Sequence, residues 1–366
     1  MKVALVHDHL AQDGGAEKVL HVFQEMFPDA PTFALVYDPK AANAHLRTEN
    51  IRTSFLQHFP FAVSHYQWYL TLMPLAVSRY DLSEFDLVLS SSASFAKGVH
   101  TRKETLHIDY CHTPTRYLWS DAEQYLEELD QPFFIKWAVR LVRPALRRWD
   151  YRAAQRLNVM IANSRTVRER IQTYYHRDAR VVYPPVDLQN FHVGKTMGDY
   201  FLTGGRLVPY KRFDLVIQAC NRLGVRLKIF GNGPDMQRLR QFAGPTITFL
   251  GRVTDEERTR LYQQAKAFIN AQEEDFGITV VEAMASGRPV IAYGRGGALE
   301  SIVPGTTGVF FDHQTTSSLA SALKAFHPEQ FKPTVIRKHA EQFSRERFIR
   351  EMRQVIDREW ERWQRH

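Results

Sequence analysis

Cysteine is nearly absent: only Cys111 and Cys220 occur in 366 residues. That excludes a disulfide framework and leaves no Cys spacing for a structural metal, so a reducing compartment is expected. Long apolar runs are missing too. No stretch approaches the roughly 18–20 uncharged residues that span a bilayer. The N-terminal "MKVALVHDHL" turns polar at His7 and Asp8, too soon for a secretory signal, and suits a first buried strand. Internal repeats, low-complexity tracts and an Asp-x-Asp metal motif are also lacking. What is present is a modest basic excess, net charge +8. It suits a polyanion, an anionic membrane surface or a phosphorylated substrate without choosing among them. At 44% hydrophobic and 24% charged, the composition excludes wholesale disorder. The length leaves room for two domains, each with a core.

Strand-like and helix-like segments alternate along most of the chain. "KVALVH" (2–7) is followed by a glycine-containing loop and a helix over 16–27. Strand patterns recur at 32–37, 86–92, 105–112 and 159–164. After a proline-containing linker at 181–192 they restart at 200–207, 226–233, 247–253, 267–272, 289–294 and 307–311. This is the pattern of α/β domains with parallel sheets, whose ligands bind at the carboxyl ends of the strands. The expectation is two Rossmann-like doubly wound domains, 1–190 and 191–343, facing a central cleft. The tail 344–366 carries apolar residues at helical spacing (Phe348, Ile349, Met352, Val355, Ile356, Trp360) and is expected to pack back toward the N-terminal domain.

The stretch "EEDFGITVVEAMASGRPVIA" (273–292) sets Glu274 and Glu282 eight positions apart. Gly277 precedes a helix-forming run that ends at Gly287 and Pro289. A helix starting there leaves unpaired N–H groups and partial positive charge at its first turn, a setting for an anion. Glu274 then stands just before the helix and Glu282 inside it. An ionised carboxylate holds two hydroxyls at once, so the pair suits a polyhydroxylated ligand that also carries phosphate. Taken singly, the first would be a helix cap and the second an exposed helical residue.

The same stretch resembles the E-x7-E motif of retaining GT-B glycosyltransferases, in the glycogen-synthase-like family (glycosyltransferase group 1). "GGRLVPYKRFDLVIQA", "IFGNGPD", "GRVTDEERTRLYQQAKAFINAQ" and "GGALESIVPGTTGVFF" are similar to further family segments, in order and at family spacing. The resemblance covers most of the chain and is strongest over 200–312. It implies that Glu282 binds the ribose of a nucleotide-sugar donor and that Glu274 lies near the transferred sugar. The backbone at Phe276, Gly277 and Ile278 would face the donor. Arg206 and Lys211 would neutralise the diphosphate, whose growing charge on leaving needs fixed cations. Gly231 and Gly233, flanking Asn232, and Gly297 and Glu300, after Gly296, complete the donor side. "GNG" is too short for a dinucleotide fingerprint, which weighs against an NAD enzyme.

In the first domain, Gly14 and Gly15 resemble the glycines that let the backbone approach the donor phosphate or the acceptor. Asp13 and Glu17 beside them are candidates for acceptor contact. His112, at a strand end, matches the family histidine that touches the donor sugar. Arg116 and Trp119, with Tyr117, are acceptor-side candidates, as a sugar platform or as core. Ser164 is expected to cap the helix that follows Asn163, and to sit near the cleft. "YCHTPTRYLW" also resembles bacterial mannosyltransferases of surface-polysaccharide assembly.

These resemblances imply retaining transfer of a hexose, mannose first, from a nucleotide-diphosphate sugar, GDP-mannose first. The acceptor would be a saccharide or polyprenyl-linked saccharide in polysaccharide biosynthesis. No cofactor or metal is expected beyond the donor, since no Asp-x-Asp motif occurs and the resembling GT-B enzymes usually need no metal; the leaving phosphate would take the acceptor proton while the protein orients and stabilises. A UDP- or ADP-sugar donor, a non-hydrolysing sugar epimerase, a phosphorylase and a non-catalytic binding subunit are the alternatives. No lysine is marked for pyridoxal phosphate, and the presence of Glu274, Glu282, Arg206 and Lys211 opposes a purely binding role. The segment 132–157 interleaves Lys136, Arg140, Arg143, Arg147, Arg148, Arg152 and Arg156 with apolar residues. It reads equally as an anionic-membrane-surface segment or as a core-facing helix with a solvated basic face. The implied location is the cytoplasm, peripheral on the inner face of the membrane. No nucleic-acid reader motif accompanies the charge.

Overall fold

The structure, a computed structural model, describes residues 1–12, 14–42, 45–120, 122 and 133–365, with side chains of 133–138 excepted. The chain divides into two compact units, Met1–Pro185 with Phe348–His366, and Val186–Arg347.

The first unit is built on a parallel sheet of seven strands in the order β3-β2-β1-β4-β5-β6-β7. These are β1 (Val3–His7), β2 (Thr32–Ala34), β3 (Ile51–Thr53), β4 (Leu87–Ser92), β5 (Leu106–Cys111), β6 (Val159–Ala162) and β7 (Arg180–Val181). Every residue of β1, β4 and β5 is buried, which is why they read as near-continuous apolar runs: both faces of the sheet are covered. One face packs helix Gly15–Met26 and the C-terminal helix Arg345–Trp363. Phe348 stacks on Phe23 at 5.7 Å and meets Tyr110 edge-on at 5.6 Å, so the tail's apolar stripe belongs to this core. The other face packs Val6, Phe33, Val88, Phe95 and Met73. The apolar run over 32–37 is regular strand only to Ala34. Beyond it the backbone pairs with the loop after β1, through Leu35 N–H to the Asp8 carbonyl (3.0 Å) and Leu10 N–H to that of Val36 (2.8 Å).

The second unit carries six parallel strands in the order β10-β9-β8-β11-β12-β13. They are β8 (Tyr200–Gly204), β9 (Arg226–Phe230), β10 (Ile247–Gly251), β11 (Phe268–Asn270), β12 (Val290–Tyr293) and β13 (Gly308–Phe311). Crossover helices follow the sequence signals closely. Phe213–Leu223 stops at Gly224, whose φ of +63° suits glycine. Asp255–Gln264 opens on a capping box of Thr254 and Glu257. Both sheets are therefore doubly wound and Rossmann-like.

Candidate functional site

At the carboxyl end of the second unit's sheet, β11 runs through a short loop into helix Ile278–Ala285. Gly277 is its N-cap residue, with φ +89°, and Val280 N–H closes the first turn on the Gly277 carbonyl at 3.1 Å; no side chain caps this helix end. Just before it, Glu274 Oε1 accepts from Lys211 Nζ at 2.9 Å, and the two side chains retain 16% and 13% exposure. An ammonium has three donors, so the bond to Glu274 does not by itself saturate Lys211, and it fixes both groups in place. Lys211 ends a turn after β8, in the loop that carries the exposed Arg206. Gly231 and Gly233 lie against that loop: a Cβ on either would strike the carbonyl of Gly205 or Leu207. Gly296 and Gly297 serve the Glu274 loop in the same way. Gly297 N–H donates to the Glu274 carbonyl at 2.8 Å, and a Cβ at 297 would strike the Cα of Phe276. Glu300 is half-buried in the short helix Ala298–Ser301 that follows. The Phe276 side chain is buried, its ring 5.4 Å from that of Phe343, and Ile278 is half-buried.

Glu282 is 2% exposed, not the solvated helical residue that its spacing alone would allow. Tyr262 donates its hydroxyl to Glu282 Oε2 at 3.2 Å, and Arg258 Nε stands 3.8 Å from the same oxygen. Burial, and then the adjacent carboxylate, push the Tyr262 phenol well above its ordinary range, so it remains a donor. Tyr262 and Arg258 were not singled out from the sequence. Their signal was an aromatic and an arginine four apart on the crossover helix that faces the Glu282 helix.

In the first unit the polar groups gather at the ends of β1, β4 and β5. Asp8 accepts four backbone N–H groups, from Ala93, Ser94, Phe95 and Ala96, at 2.7, 2.9, 2.6 and 2.7 Å. Burial pushes its carboxyl up, but His7, these backbone donors and Lys97 outweigh that and leave it below its usual range. His7 Nδ1 lies 3.1 Å from Ser91 Oγ, which lies 2.8 Å from His112 Nε2. The His112 carbonyl accepts from Asn163 at 2.9 Å. Burial pushes the His112 imidazole down to about 4, so it is neutral near pH 7. Glu17, in the first turn of helix Gly15–Met26, is 1% exposed and faces His7 at 3.7 Å. Gly14 precedes it, half-buried, and Gly15 is exposed.

Arg116 and Tyr117 are half-buried. Trp119 donates its indole N–H to Asp150 at 2.7 Å, stacks on Tyr174 at 5.3 Å and lies under Arg147. Asp150 also binds Lys97 at 2.7 Å, with side chains 1% and 0% exposed. Ser164 accepts from Val167 N–H at 3.1 Å and caps its helix. Asp13 lies outside the described residues. Asp8, Ser91, Lys97 and Asp150 were likewise missed in the sequence; a triple serine ending an apolar strand was the available cue. Among the described residues no helix is long and apolar enough to cross a membrane, and no cluster of three or more His, Cys, Asp and Glu is placed to hold a metal ion.

Two family models match, glycosyl transferases group 1 over residues 188–346 and glycosyltransferase family 4 over 13–190. A GDP-mannose-dependent alpha-mannosyltransferase of Mycobacterium tuberculosis is 38% identical over 122 residues, 32% of this chain and 32% of that protein. The match thus spans about a third of that relative. Among solved structures, an Anabaena protein in complex with UDP and glucose superposes with a TM-score of 0.71 at 18% identity, over 98% of this chain and 99% of that one. A sucrose-phosphate synthase from Thermosynechococcus elongatus superposes with a TM-score of 0.76 at 14% identity, over 98% and 99%. With both sheets doubly wound and the two models adjoining, the chain belongs to the group 1 glycosyltransferases of GT-B fold.

Proposed function

We propose that the protein is a retaining hexosyltransferase whose second unit holds a nucleotide-diphosphate sugar, GDP-mannose first. The observation that carries this reading is the Lys211–Glu274 pair beside an uncapped helix N-terminus. Arg206, Lys211 and the helix N–H groups would take the diphosphate, whose charge grows as the sugar leaves. Glu282, held by Tyr262 and Arg258, would accept the ribose hydroxyls, and Glu274 those of the sugar. Gly231, Gly233, Gly297 and Glu300 would shape the donor pocket. His112 would contact the hexose, and the first unit's Gly14 and Gly15 would leave room for substrate. Arg206, Lys211 and the helix end would supply the positive charge the diphosphate needs, and no metal or resident cofactor is proposed.

The acceptor is proposed to be a saccharide, free or lipid-linked, used by a protein peripheral to the cytoplasmic face of a membrane. Helix Phe133–Arg156 supports this: Arg148, Arg152 and Arg156 fall on one stripe and line a cavity of about 520 Å³ with Leu75 and Trp149. Exposed Phe61, Trp68 and Leu141 in the same unit supply apolar contact. GDP-mannose is put first because the mycobacterial relative is a GDP-mannose-dependent alpha-mannosyltransferase.

A thermal-shift screen of GDP, UDP and ADP, then hydrolysis of GDP-mannose against UDP- and ADP-sugars, tests the reading. Stabilisation by one nucleoside diphosphate and turnover of its sugar are expected. No stabilisation by any of the three would overturn it.

A further inference from the structure

Glu17 is costly where it stands. A carboxylate taken out of water costs several kcal/mol unless it is paired and hydrogen-bonded. Among the described residues neither oxygen of Glu17 has a hydrogen-bond partner, and the side chain is 1% exposed. Gly14 makes room for it, since a Cβ there would lie 2.9 Å from Glu17 Oε2. Even so the group is held ionised. Burial pushes its carboxyl up, and the nearby His7 and His9 outweigh that and leave it below its usual range. The carboxylate stands 3.7 Å from His7 Nε2 and acts on that imidazole through its field.

That histidine leads through Ser91 to His112. In the sheet register His7 pairs with Ser91, and Ser91 with Tyr110. His112 lies two residues beyond Tyr110, so His7, Ser91 and His112 project from one face of the sheet, the face covered by the helix bearing Glu17. The spacings form a line: Glu17 Oε1 to His7 Nε2 at 3.7 Å, His7 Nδ1 to Ser91 Oγ at 3.1 Å, and Ser91 Oγ to His112 Nε2 at 2.8 Å.

We propose that Glu17, His7 and Ser91 are positioning residues that fix the tautomer of His112, turning its Nδ1 into a hydrogen-bond acceptor for a ligand hydroxyl. With both imidazoles in their neutral form, His7, Ser91 and His112 each have one proton to place. The Glu17 carboxylate draws the single His7 proton to Nε2, because a bare Nε2 would set two electron-rich groups face to face. His7 Nδ1 is then a lone pair and accepts the Ser91 hydroxyl proton. Ser91 Oγ in turn accepts from His112 Nε2–H. His112 is left with Nδ1 unprotonated, able to accept but not to donate. The groups that face the line from neighbouring elements are Asp8 and His9 on the β1 loop. Asp8 is saturated by its four backbone donors, and His9 lies against Tyr66, 4.4 Å between ring centres. Neither enters the line.

The role of His112 in contacting substrate rests on the glycosyltransferase reading; the tautomer does not. The test is long-range proton–nitrogen NMR on 15N-histidine-labelled full-length protein without ligand, with the His112 signals assigned through His112→Ala. In wild type at neutral pH, Nε2 is expected to carry the proton. In Glu17→Gln the amide can donate to His7 Nε2, which reverses the line, and Nδ1 should carry it. Ser91→Ala should give a mixture. Protonation of Nδ1 in wild type overturns the proposal even if no variant folds. So does an unchanged tautomer in a folded Glu17→Gln protein. With a donor sugar that the enzyme turns over, Glu17→Gln should lower kcat by about tenfold, the worth of one hydrogen bond, and leave KM unchanged. A change in KM alone would contradict it.

Discussion

The first unit buries a network of charged side chains beside its strand ends, whereas the second buries Glu282 but leaves the Lys211–Glu274 pair partly open and Arg206 exposed. Asp8, Glu17, Lys97 and Asp150 are all buried at the carboxyl ends of β1, β4 and β5 or beside them. The difference has a cost and a use. Buried charges must be matched by donors from distant parts of the chain: Asp8 by residues 93–96, Lys97 by Asp150. They fix one geometry. Charges at a rim cost little and remain available to an anion that arrives from solvent. A preformed scaffold and an adaptable grip are thus built on the same sheet type.

The contrast can be broken most forcefully at Lys97. Replacing it by Met leaves Asp150 buried without its cation, and the first unit should lose roughly 3–5 kcal/mol. All six tryptophans lie in the first unit, so fluorescence-monitored denaturation follows that unit while circular dichroism follows both. The tryptophan midpoint should fall, and nucleoside-diphosphate binding by the second unit should persist at low denaturant. Loss of both together would show that the units do not behave separately.

Acid should sharpen the same contrast with a smaller effect. Burial pushes His112 down to about 4 and His107 to about 3, from an ordinary 6.5. Below pH 6.5 the unfolded chain therefore takes up protons that the folded first unit refuses, and stability falls progressively toward pH 4. Asp109, pushed up to about 7 by burial, opposes this, since its cost is relieved as pH falls from 7. Two histidines outweigh one aspartate. The tryptophan-reported midpoint should drop between pH 6.5 and 4; a flat or rising midpoint would mean the histidines are not held neutral.

The contrast also explains what could be read from the sequence. Both sheets were legible because strands covered on two faces are apolar throughout, as in Val3–Val6 and Leu87–Leu89. The end of β2 was not, because Leu35 and Val36 remain buried while bonding to a loop. Glu274, Gly277 and Glu282 lie within one loop-to-helix turn, so their spacing carries their geometry. The first unit's network joins residues 7, 91 and 112 through strand order and residue 17 through the helix packed on those strands. No local pattern encodes it. Glu17 was noticed for its neighbours Gly14 and Gly15, yet its burial against His7 follows only from the packed helix.

The central claim is that the second unit grips a nucleoside diphosphate, with Glu282 on the ribose. The most direct measurement is titration calorimetry of GDP, UDP and ADP into wild type and Glu282→Ala. A lost hydrogen bond to a charged group is worth about 1.5–3 kcal/mol. The Kd of the preferred nucleotide should therefore rise by roughly 10- to 100-fold. An unchanged Kd in a folded Glu282→Ala protein would contradict the account.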